Sequence, residues 1–348
     1  MKIGIVGYGN LGKACEKIAH LRKDMDVVGI FTRRNPSMLT SPYNTPFYAQ
    51  SDVFDFYKEI DVLVLCTGSA GDLMPLALDV ARVFNTADTF DNHSKMKEYV
   101  QSLDSVAREH GTLSIVGAGW DPGVLSLVRC YLEGVTGIQS HTFWGKGVSQ
   151  GHSEAIRKIK GVKRAVQYTL PNEDALEEVK RGHAGKLSTY DKHKRVCYVV
   201  LEKGANKCDI ERRIKDLPSY FYGYDTEVHF ITENDFEKHH CNLFHKGQVL
   251  CYGNLSNADE TICDEKGVYN HILHGGYNTE VYEKPSVGIE FNLSMASNPD
   301  FTATVLLSYV RCAHRLYQSG ERGAKTVLDL PMGALFDCNR LDTIAKYL

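Results

Sequence analysis

A glycine motif at the amino terminus constrains the fold of this chain more than any other feature. The apolar run Lys2 to Gly7 (KIGIVG) leads directly into GYGNLG, where Gly7, Gly9 and Gly12 match the pattern GxGxxG. These glycines permit a tight turn, a close approach of the backbone to a pyrophosphate, and close packing of a helix on a strand. A helix from about Leu11 to Leu21 follows, and a helix N-terminus favours phosphate groups. The motif predicts a dinucleotide site; the alternative is a glycine turn that binds nothing.

The rest of the first third alternates strands with helices. The strand-like runs are Met25 to Thr32, Asp61 to Cys66, Ala87 to Phe90 and Leu113 to Val116, and the helical segments among them are Asp72 to Phe84 and Ser94 to His110. Strands that alternate with helices form a parallel sheet, because each helix crosses back over it. The pattern predicts the α/β class with a Rossmann doubly wound parallel sheet, whose ligands bind at the carboxyl ends of the strands.

The pattern changes after Trp120. Strand-like runs now follow one another with long connections, and they cover His141 to Trp144, Ala165 to Leu170, Val196 to Leu201 and Thr226 to Ile231. Such runs predict an α+β domain with a mixed sheet. In the 348 residues we expect a first domain over 1–122, on which 298–348 returns to pack, and a second domain over 123–297 with an extended excursion at about 253–285.

Composition argues against several classes of partner. Lys and Arg total 40 and Asp and Glu total 43, a formal net charge of -3, so we expect no affinity for nucleic acid or anionic membranes. The first residues lack the segments of a signal peptide, and no apolar run approaches the roughly 20 residues that span a bilayer. We expect a cytoplasmic protein with reduced cysteines. The histidines of HHCNLFH (His239 to His245) lack zinc spacing, so we expect no metal.

The end of the second strand selects the dinucleotide. A site that prefers NAD places Asp or Glu about 20 residues beyond the glycines to bind the ribose 2′-hydroxyl. This chain instead has Thr32, Arg33 and Arg34 there, with no acid between Gly29 and Asn35. Two guanidinium groups can bind a 2′-phosphate in bidentate fashion. The pattern therefore favours NADP over NAD, and the alternative is a solvated pair of arginines on a loop.

The expected cofactor contacts come from the glycine turn, from this edge and from the loops that follow the later strands. They are Gly7, Tyr8, Gly9, Asn10, Leu11, Gly12, Thr32, Arg33, Arg34, Cys66, Thr67, Gly68, Ser69, Thr89, Phe90, Asp91, Ala118, Gly119, Trp120, Asp121 and Pro122.

Two carboxylates follow neighbouring strands of the expected sheet. Asp91 comes after the fourth predicted strand and Asp121 after the fifth. A pair of carboxylates near a nicotinamide can bind a substrate ammonium group, and one of them can later accept a proton. The alternative is that each residue caps the helix that follows it, since Asp is a favoured N-cap residue.

Several segments together resemble meso-diaminopimelate dehydrogenase. They are the strand-end loops above, HTFWGKGVSQGHSEAIR (His141 to Arg157), AVQYTLP (Ala165 to Pro171), HKRVC (His193 to Cys197) and NPDFTA from Asn298. The resemblance runs from Met1 to about Phe236 and resumes at Asn298. It implies reversible oxidative deamination of meso-2,6-diaminopimelate at its D-centre with NADP+, which yields L-2-amino-6-oxopimelate and ammonia. It also implies a homodimer formed through the second domain, which would bind the substrate.

The resemblance further implies the substrate contacts, which are Asp91, Asp121, Trp144, Gln150, Gly151, Thr169, Arg195, His245 and Asn298. Arg195 and Thr169, with His245, would bind the distal carboxylate, and Asn298 the distal amine. Asp91, Asp121, Trp144 and Gln150 would orient the D-centre. We expect Asp121, or a water it binds, to accept the proton of the substrate ammonium, with Asp91 as the second choice.

Other interpretations stay open from the residues alone. Trp144 is of a type that commonly packs in a core, Arg195 lies in a charge run of the kind that is usually solvated, and His152 is compatible with a structural role. A related NADP-dependent reductase or dehydrogenase of another amino-acid derivative is the alternative enzyme, and a non-catalytic NADP(H) sensor is a third hypothesis. The set Asp91, Asp121 and Arg195 argues for the diaminopimelate enzyme, because an aldehyde or lactone has no ammonium group and a sensor needs only the glycines.

Overall fold

The computed structural model describes residues 1–69, 71–182, 187–218, 220–240, 244–255, 261–263, 269–271, 285–338 and 340–348. The chain forms two compact units, Met1–Leu127 with Pro299–Leu348 (unit 1) and Val128–Asn298 (unit 2). Most of the excursion expected at 253–285 lies outside the described residues.

Unit 1 contains a seven-stranded parallel sheet. Its strands, in spatial order, are β16 (Gly323–Thr326), β6 (Leu113–Val116), β5 (Asn85–Asp88), β4 (Val62–Leu65), β1 (Lys2–Val6), β2 (Asp26–Thr32) and β3 (Phe47–Ala49). The strand order reverses at β1, as in doubly wound sheets. The predicted α/β class is confirmed. Strand β3 was not predicted, because a three-residue strand that follows a proline shows no measurable period.

Apolar side chains on both faces of these strands explain why helices cover both sides. In β4, Val62 and Val64 belong to one core cluster, and Leu63 and Leu65 belong to the other. Strands that are buried on both faces are apolar at every position, as a parallel sheet requires. The helices of this unit are α1 (Asn10–His20), α2 (Leu73–Val80), α3 (Met96–His110), α10 (Asn298–Gln318) and α11 (Arg340–Tyr347). Residues of α1 and α10 join the first cluster, and residues of α2 and α3 join the second.

Strand β5 differs from its expected position at Ala87 to Phe90. It begins at Asn85, whose side chain accepts a hydrogen bond from the Leu113 N–H (2.9 Å) and donates one to the Asp61 carbonyl (3.0 Å). These bonds satisfy a buried polar residue that an apolar pattern does not include. The strand ends at Asp88, and Phe90 therefore lies in the loop that follows.

Asp88 joins the ends of two strands through one buried carboxylate. Its Oδ1 accepts hydrogen bonds from the N–H groups of Phe90 (2.9 Å) and Gly117 (3.2 Å), and its Oδ2 accepts the Tyr99 hydroxyl (2.6 Å). Burial raises the pKa of this carboxyl, and the three hydrogen bonds oppose that shift. The loops after β5 and β6, which carry the two acids of the sequence analysis, are thus tied to one side chain.

The described residues of unit 2 form two larger sheets and one short strand pair. One is four-stranded and mixed, in the order β11 (Asp225–Phe230), β10 (His193–Leu201), β9 (Val162–Pro171) and β8 (Gly147–Val148). Strands β10 and β11 are parallel, whereas β9 pairs antiparallel with β10 and with β8. The other is antiparallel, in the order β15 (Val287–Met295), β12 (His245–Gly253) and β7 (Ser140–Trp144). A short pair, β13 (Thr261–Cys263) and β14 (Tyr269–His271), is also antiparallel.

The expected mixed sheet is confirmed, but its extent was underestimated. Strands β12 and β15 were not predicted, and β7 was not assigned to a separate sheet. The helices beside these strands are α4 (Val124–Thr136), α5 (Gln150–Arg157), α6 (Glu173–Lys180), α7 (Thr189–Lys192), α8 (Lys207–Lys215) and α9 (Glu233–His239). No helix within the described ranges combines the length and the apolar character needed to cross a bilayer.

We expect Asp88→Ala to lower the free energy of unfolding by roughly 3–5 kcal/mol, because it leaves two buried N–H groups and one hydroxyl unpaired. Asp88→Asn is the matched control, since its amide oxygen still accepts both N–H bonds and the Tyr99 hydroxyl can rotate to accept from the amide nitrogen. Asp88→Asn should lower the free energy of unfolding by only about 1 kcal/mol. Urea unfolding of both variants measures the difference, and equal losses would contradict the role assigned to Asp88.

Candidate active site

The glycine turn has the geometry that its sequence predicts. Gly7 has a φ of 96°, a conformation that favours glycine, and its N–H donates to the Phe31 carbonyl (2.8 Å). A Cβ on Gly12 would lie 2.0 Å from the Gly7 carbonyl oxygen, so the helix packs too closely for a side chain there. A Cβ on Gly9 would meet no atom within 4 Å. The space above Gly9, at the start of α1, is therefore open to a ligand.

Thr32, Arg33 and Arg34 line one edge of a cleft of about 720 Å³ at the end of β2. Arg33 is largely exposed and forms an ion pair with Asp72 (2.8 Å), and Arg34 donates a hydrogen bond to the Tyr8 carbonyl. An exposed ion pair is worth little, so Arg33 can exchange Asp72 for a phosphate group. Two guanidinium groups beside an open cleft fit the 2′-phosphate of NADP.

The remaining expected cofactor residues lie in three loops at the carboxyl ends of β4, β5 and β6. These loops contain Cys66 to Ser69, Thr89 to Asp91, and Ala118 to Pro122. The Thr67 hydroxyl is buried and has no hydrogen-bond partner among the described residues. A buried hydroxyl without a partner is costly, and a bound ligand can supply the missing bond. Together with the open space at Gly9, the Thr67 hydroxyl supports the binding of a dinucleotide along the carboxyl ends of these strands.

Asp91 and Asp121 occupy different environments in unit 1. Asp91 is exposed, and its N–H donates to the Ser69 hydroxyl (3.3 Å), which joins the loops after β4 and β5. The 3-10 turn and the helix that follow Asp91 begin after Asn92 and Lys95, so Asp91 is not their N-cap residue. Asp121 is half-buried, and its Oδ1 accepts the Ser126 hydroxyl (3.3 Å). The capping alternative is therefore wrong for Asp91.

Unit 2 contains a buried guanidinium without an acidic partner among the described residues. Arg195 is 4 % exposed, and no carboxylate of the described ranges lies within ion-pair distance of it. It pairs across the sheet with Thr169, and its Nη1 donates to the Thr169 hydroxyl oxygen. The Tyr224 ring covers its other side (4.2 Å from Cζ to the ring centroid), and its Nε has no hydrogen-bond partner in the part of the chain that the structure describes. The interpretation of this residue as part of a solvated charge run is wrong.

The Thr169 hydroxyl is restricted to donating towards a ligand. Its oxygen accepts from Arg195 and also from the Gln167 amide nitrogen (3.3 Å). A hydroxyl oxygen has two lone pairs and one proton. Both lone pairs are used by these donors, so the proton is what remains to form a hydrogen bond with a ligand. Arg195 and Thr169 thus present donors side by side, as a bound carboxylate requires.

Three histidines near Arg195 remain neutral at neutral pH. Burial lowers the pKa of His152 and of His193 to about 3 and that of His245 to about 4, and in each case the positive charge of Arg195 contributes. The His245 Nδ1 donates to the Lys246 carbonyl (2.7 Å), which leaves Nε2 as the acceptor nitrogen. Arg195 and these three neutral histidines together therefore carry one positive charge, which balances the negative charge of one carboxylate.

The other expected substrate contacts lie at the ends of strands and helices. Trp144 ends β7, where its ring stacks on His193 (4.8 Å between centroids). Gln150 and Gly151 form the first turn of α5, and Asn298 begins α10. These residues are half-buried or exposed. Trp144 is therefore not the fully buried core residue that was the alternative.

Three residues of these sites were not singled out from the sequence as contributors. They are Asp88, Gln167 and His193, and all are at most 2 % exposed. Gln167 lies between apolar residues of β9, and a polar residue inside an apolar run is the signal that could have identified it. Asp88 and His193 lie near other polar residues in their strands, which give no such signal. His152 was considered only as a structural residue, and its ring nitrogen lies 2.5 Å from the Ser149 hydroxyl at the start of α5.

Comparison with known proteins agrees with this arrangement. The family model of the diaminopimelic acid dehydrogenase C-terminal domain matches residues 119–266. The chain is 43% identical over 336 residues to a meso-diaminopimelate D-dehydrogenase of Lysinibacillus sphaericus, covering 96% of this chain and 95% of that protein. It is 41% identical to the enzyme of that name from Corynebacterium glutamicum, covering 99% and 98%. The chain belongs to the meso-diaminopimelate D-dehydrogenase family.

Solved structures of this family extend the likeness to the fold. A C. glutamicum DAP dehydrogenase in complex with DAP matches with a TM-score of 0.85 at 40% identity, covering 100% of this chain and 99% of that one. An engineered D-amino acid dehydrogenase bound to NADP+ matches with a TM-score of 0.84 at 39% identity, with the same coverage. The predicted relation to diaminopimelate dehydrogenase is thereby confirmed.

A pair of glycine substitutions tests the dinucleotide turn in this family member. Gly9→Ala should weaken NADPH binding at least about tenfold, because its methyl group enters the space where a pyrophosphate approaches the backbone. Gly71→Ala is the control, since its Cβ would also meet no protein atom within 4 Å. Both variants should unfold at the wild-type urea concentration. Fluorescence titration with NADPH measures the affinity, and an equal affinity for the two variants would exclude this placement of the pyrophosphate.

Proposed function

We propose that this chain catalyses the reversible oxidative deamination of meso-2,6-diaminopimelate at its D-centre, with NADP+ as oxidant and L-2-amino-6-oxopimelate and ammonia as products. The observation that carries the proposal is the buried Arg195 without an acidic partner among the described residues, beside a Thr169 hydroxyl restricted to donating. Family membership agrees with it. The proposal includes a cytoplasmic location, as expected from the sequence.

Arg195 and Thr169 would bind the distal carboxylate of the substrate. A buried cation is stable only when a ligand or partner compensates it, and a carboxylate accepts donors from both side chains. The pKa of the Arg195 guanidinium is lowered by burial, and a bound anion would oppose that shift. His245 was expected to help bind the distal carboxylate, but its Nε2 is an acceptor and would instead accept a hydrogen bond from a substrate N–H or from a water. Asn298 would bind the distal amine through its amide oxygen.

Asp91 and Asp121 would bind and orient the reacting D-centre, with Trp144, Gln150 and Gly151 at its other contacts. When bound, the nicotinamide accepts the hydride from Cα, which is chemistry that no side chain supplies. The ammonium must first lose a proton, so that its lone pair can form the C=N bond as the hydride leaves. Asp121 would accept that proton, directly or through a water. A water then adds to the imine carbon, and the C–N bond breaks to release ammonia.

The assay of this proposal measures NADPH formation with meso-, LL- and DD-diaminopimelate in parallel, with NADP+ or NAD+. We expect rapid reduction of NADP+ with the meso form, slow reduction of NAD+, and no reduction with the LL form, which lacks a D-centre. Reduction with an unrelated D-amino acid in preference to the meso form would instead favour the alternative enzyme. No reduction with any amine, while NADPH still binds, would favour the sensor hypothesis.

Asp121→Asn tests the proton acceptor. We expect kcat to fall at least about 100-fold, because an amide cannot accept the ammonium proton. Asp91→Asn is the matched control and should raise KM for the substrate more than it lowers kcat. A near-normal kcat in Asp121→Asn with a raised KM would show that Asp121 anchors the amine without removing its proton.

We also propose that the chain forms a homodimer through unit 2. Strand β15 is the edge of its three-stranded sheet, and its apolar residues Val287, Ile289, Phe291 and Leu293 are all half-buried and share one face. On the same side of that sheet α4 packs at Cys251, and α4 exposes Tyr131 and Val135. An apolar row beside exposed aromatic and aliphatic side chains is typical of an interface between identical subunits.

Light scattering during gel filtration measures this assembly. Wild type should elute at about twice the 39.0 kDa chain mass. Phe291→Lys should shift the mass towards one chain, because a charge in an apolar interface is costly. Leu328→Lys, at a 53 % exposed position of unit 1, is the control and should remain a dimer. A wild-type protein of single-chain mass would reject the proposal.

A further inference from the structure

His193 makes two main-chain hydrogen bonds that determine its protonation. Its Nε2 accepts the N–H of Trp144 (2.8 Å), and its Nδ1 lies 2.9 Å from the Thr189 carbonyl oxygen. A main-chain N–H can only donate and a carbonyl can only accept, so the proton must be on Nδ1. The ring is 2 % exposed and neutral, and only this one tautomer satisfies both partners.

The same imidazole also holds the Trp144 side chain. The two rings stack with centroids 4.8 Å apart and planes 15° from parallel. His193 therefore contacts Trp144 twice, through the main-chain N–H at the end of β7 and through the face of the indole. The stacking favours one orientation of the indole, and the hydrogen bond fixes the main chain from which the indole projects.

His193 also relates Trp144 to the carboxylate-binding pair. It begins β10, and Arg195 follows two residues later, so both side chains lie on the same face of that strand. Two residues of a strand span about 6.6–6.8 Å. Arg195 is aligned with Thr169 on β9 by the sheet register. A single strand thus sets the spacing between the indole and the guanidinium.

We propose that His193 is a positioning residue that fixes the Trp144 indole relative to Arg195, and thereby orients the D-centre of a substrate whose far carboxylate Arg195 binds. This inference rests on the proposed function for its kinetic part. It assigns His193 no contact with the substrate. The effect of His193 on catalysis must therefore pass through Trp144.

A double-mutant cycle measures that dependence. His193→Phe keeps a stacked ring but removes the acceptor for the Trp144 N–H, and His193→Gln keeps an acceptor but removes the ring. Each should lower kcat/KM for meso-diaminopimelate about tenfold in the wild-type background and much less in Trp144→Phe, because interacting residues are not additive. KM for NADP+ should not change. His229→Phe, at a half-exposed position of β11 in the same sheet, is the control and should be kinetically wild type.

Fluorescence of the ligand-free protein provides a readout that needs no activity. The chain has two tryptophans, so Trp120→Phe leaves Trp144 as the only indole. In that background His193→Gln should lose protection of Trp144 from acrylamide quenching, whereas His229→Phe should retain it. If His193→Phe does not fold, the His193→Gln arm decides the question.

The outcomes separate the two proposals. Coupling in the cycle and a loss of protection in His193→Gln support the positioning role. Equal kinetic losses in both backgrounds, or quenching of His193→Gln identical to that of the parent, would overturn it. If wild type does not reduce NADP+ with meso-diaminopimelate, the proposed function fails, and the quenching arm still decides whether His193 fixes Trp144.

Discussion

The three hydrogen bonds to the Asp88 carboxylate connect the parallel sheet of unit 1 to its chemistry. Parallel strands end at the same edge, but the loops beyond them have no ladder of their own. Asp88 supplies the missing bonds to Phe90 and Gly117, so two loops leave the sheet from defined positions. One of these loops carries Asp91 and the other carries Asp121. The placement of both acids therefore depends on a residue that is itself fully buried.

The two units carry different charged groups. Unit 1 presents carboxylates on its strand-end loops, which attract a cationic nitrogen, and arginines at the end of β2, which attract a phosphate. Unit 2 presents Arg195 among histidines whose pKa values lie near 3 or 4, so protonated histidines do not add to its charge at neutral pH. A site with one buried positive charge binds one carboxylate and disfavours a neutral group in its place, because the guanidinium would remain unpaired.

The main elements of the fold were predictable because their patterns are local. The apolar runs of β1, β4 and β6 are buried on both faces, and the helices between them show the expected spacing. The elements that were missed or placed at shifted bounds lack that local signal or were overlooked. Strand β3 has only three residues, β5 begins with a polar residue whose partners lie in other strands, and β12 mixes glycine with polar and apolar residues. Strand β15 is different, because its apolar residues alternate regularly with other residues, and that pattern could have predicted a strand from the sequence.

By itself the sequence determined the glycine turn, the absence of an acid after β2 and the positions of Asp91 and Asp121 after their strands. Spacing along the chain is sufficient for these features, since a turn and a strand end are local. Only the tertiary structure decided that Arg195 is buried without an acidic partner among the described residues, that Thr169 can only donate, and that His193 stacks on Trp144. These features depend on sheet register and burial, which bring together residues that are distant in the chain, and no local pattern encodes them.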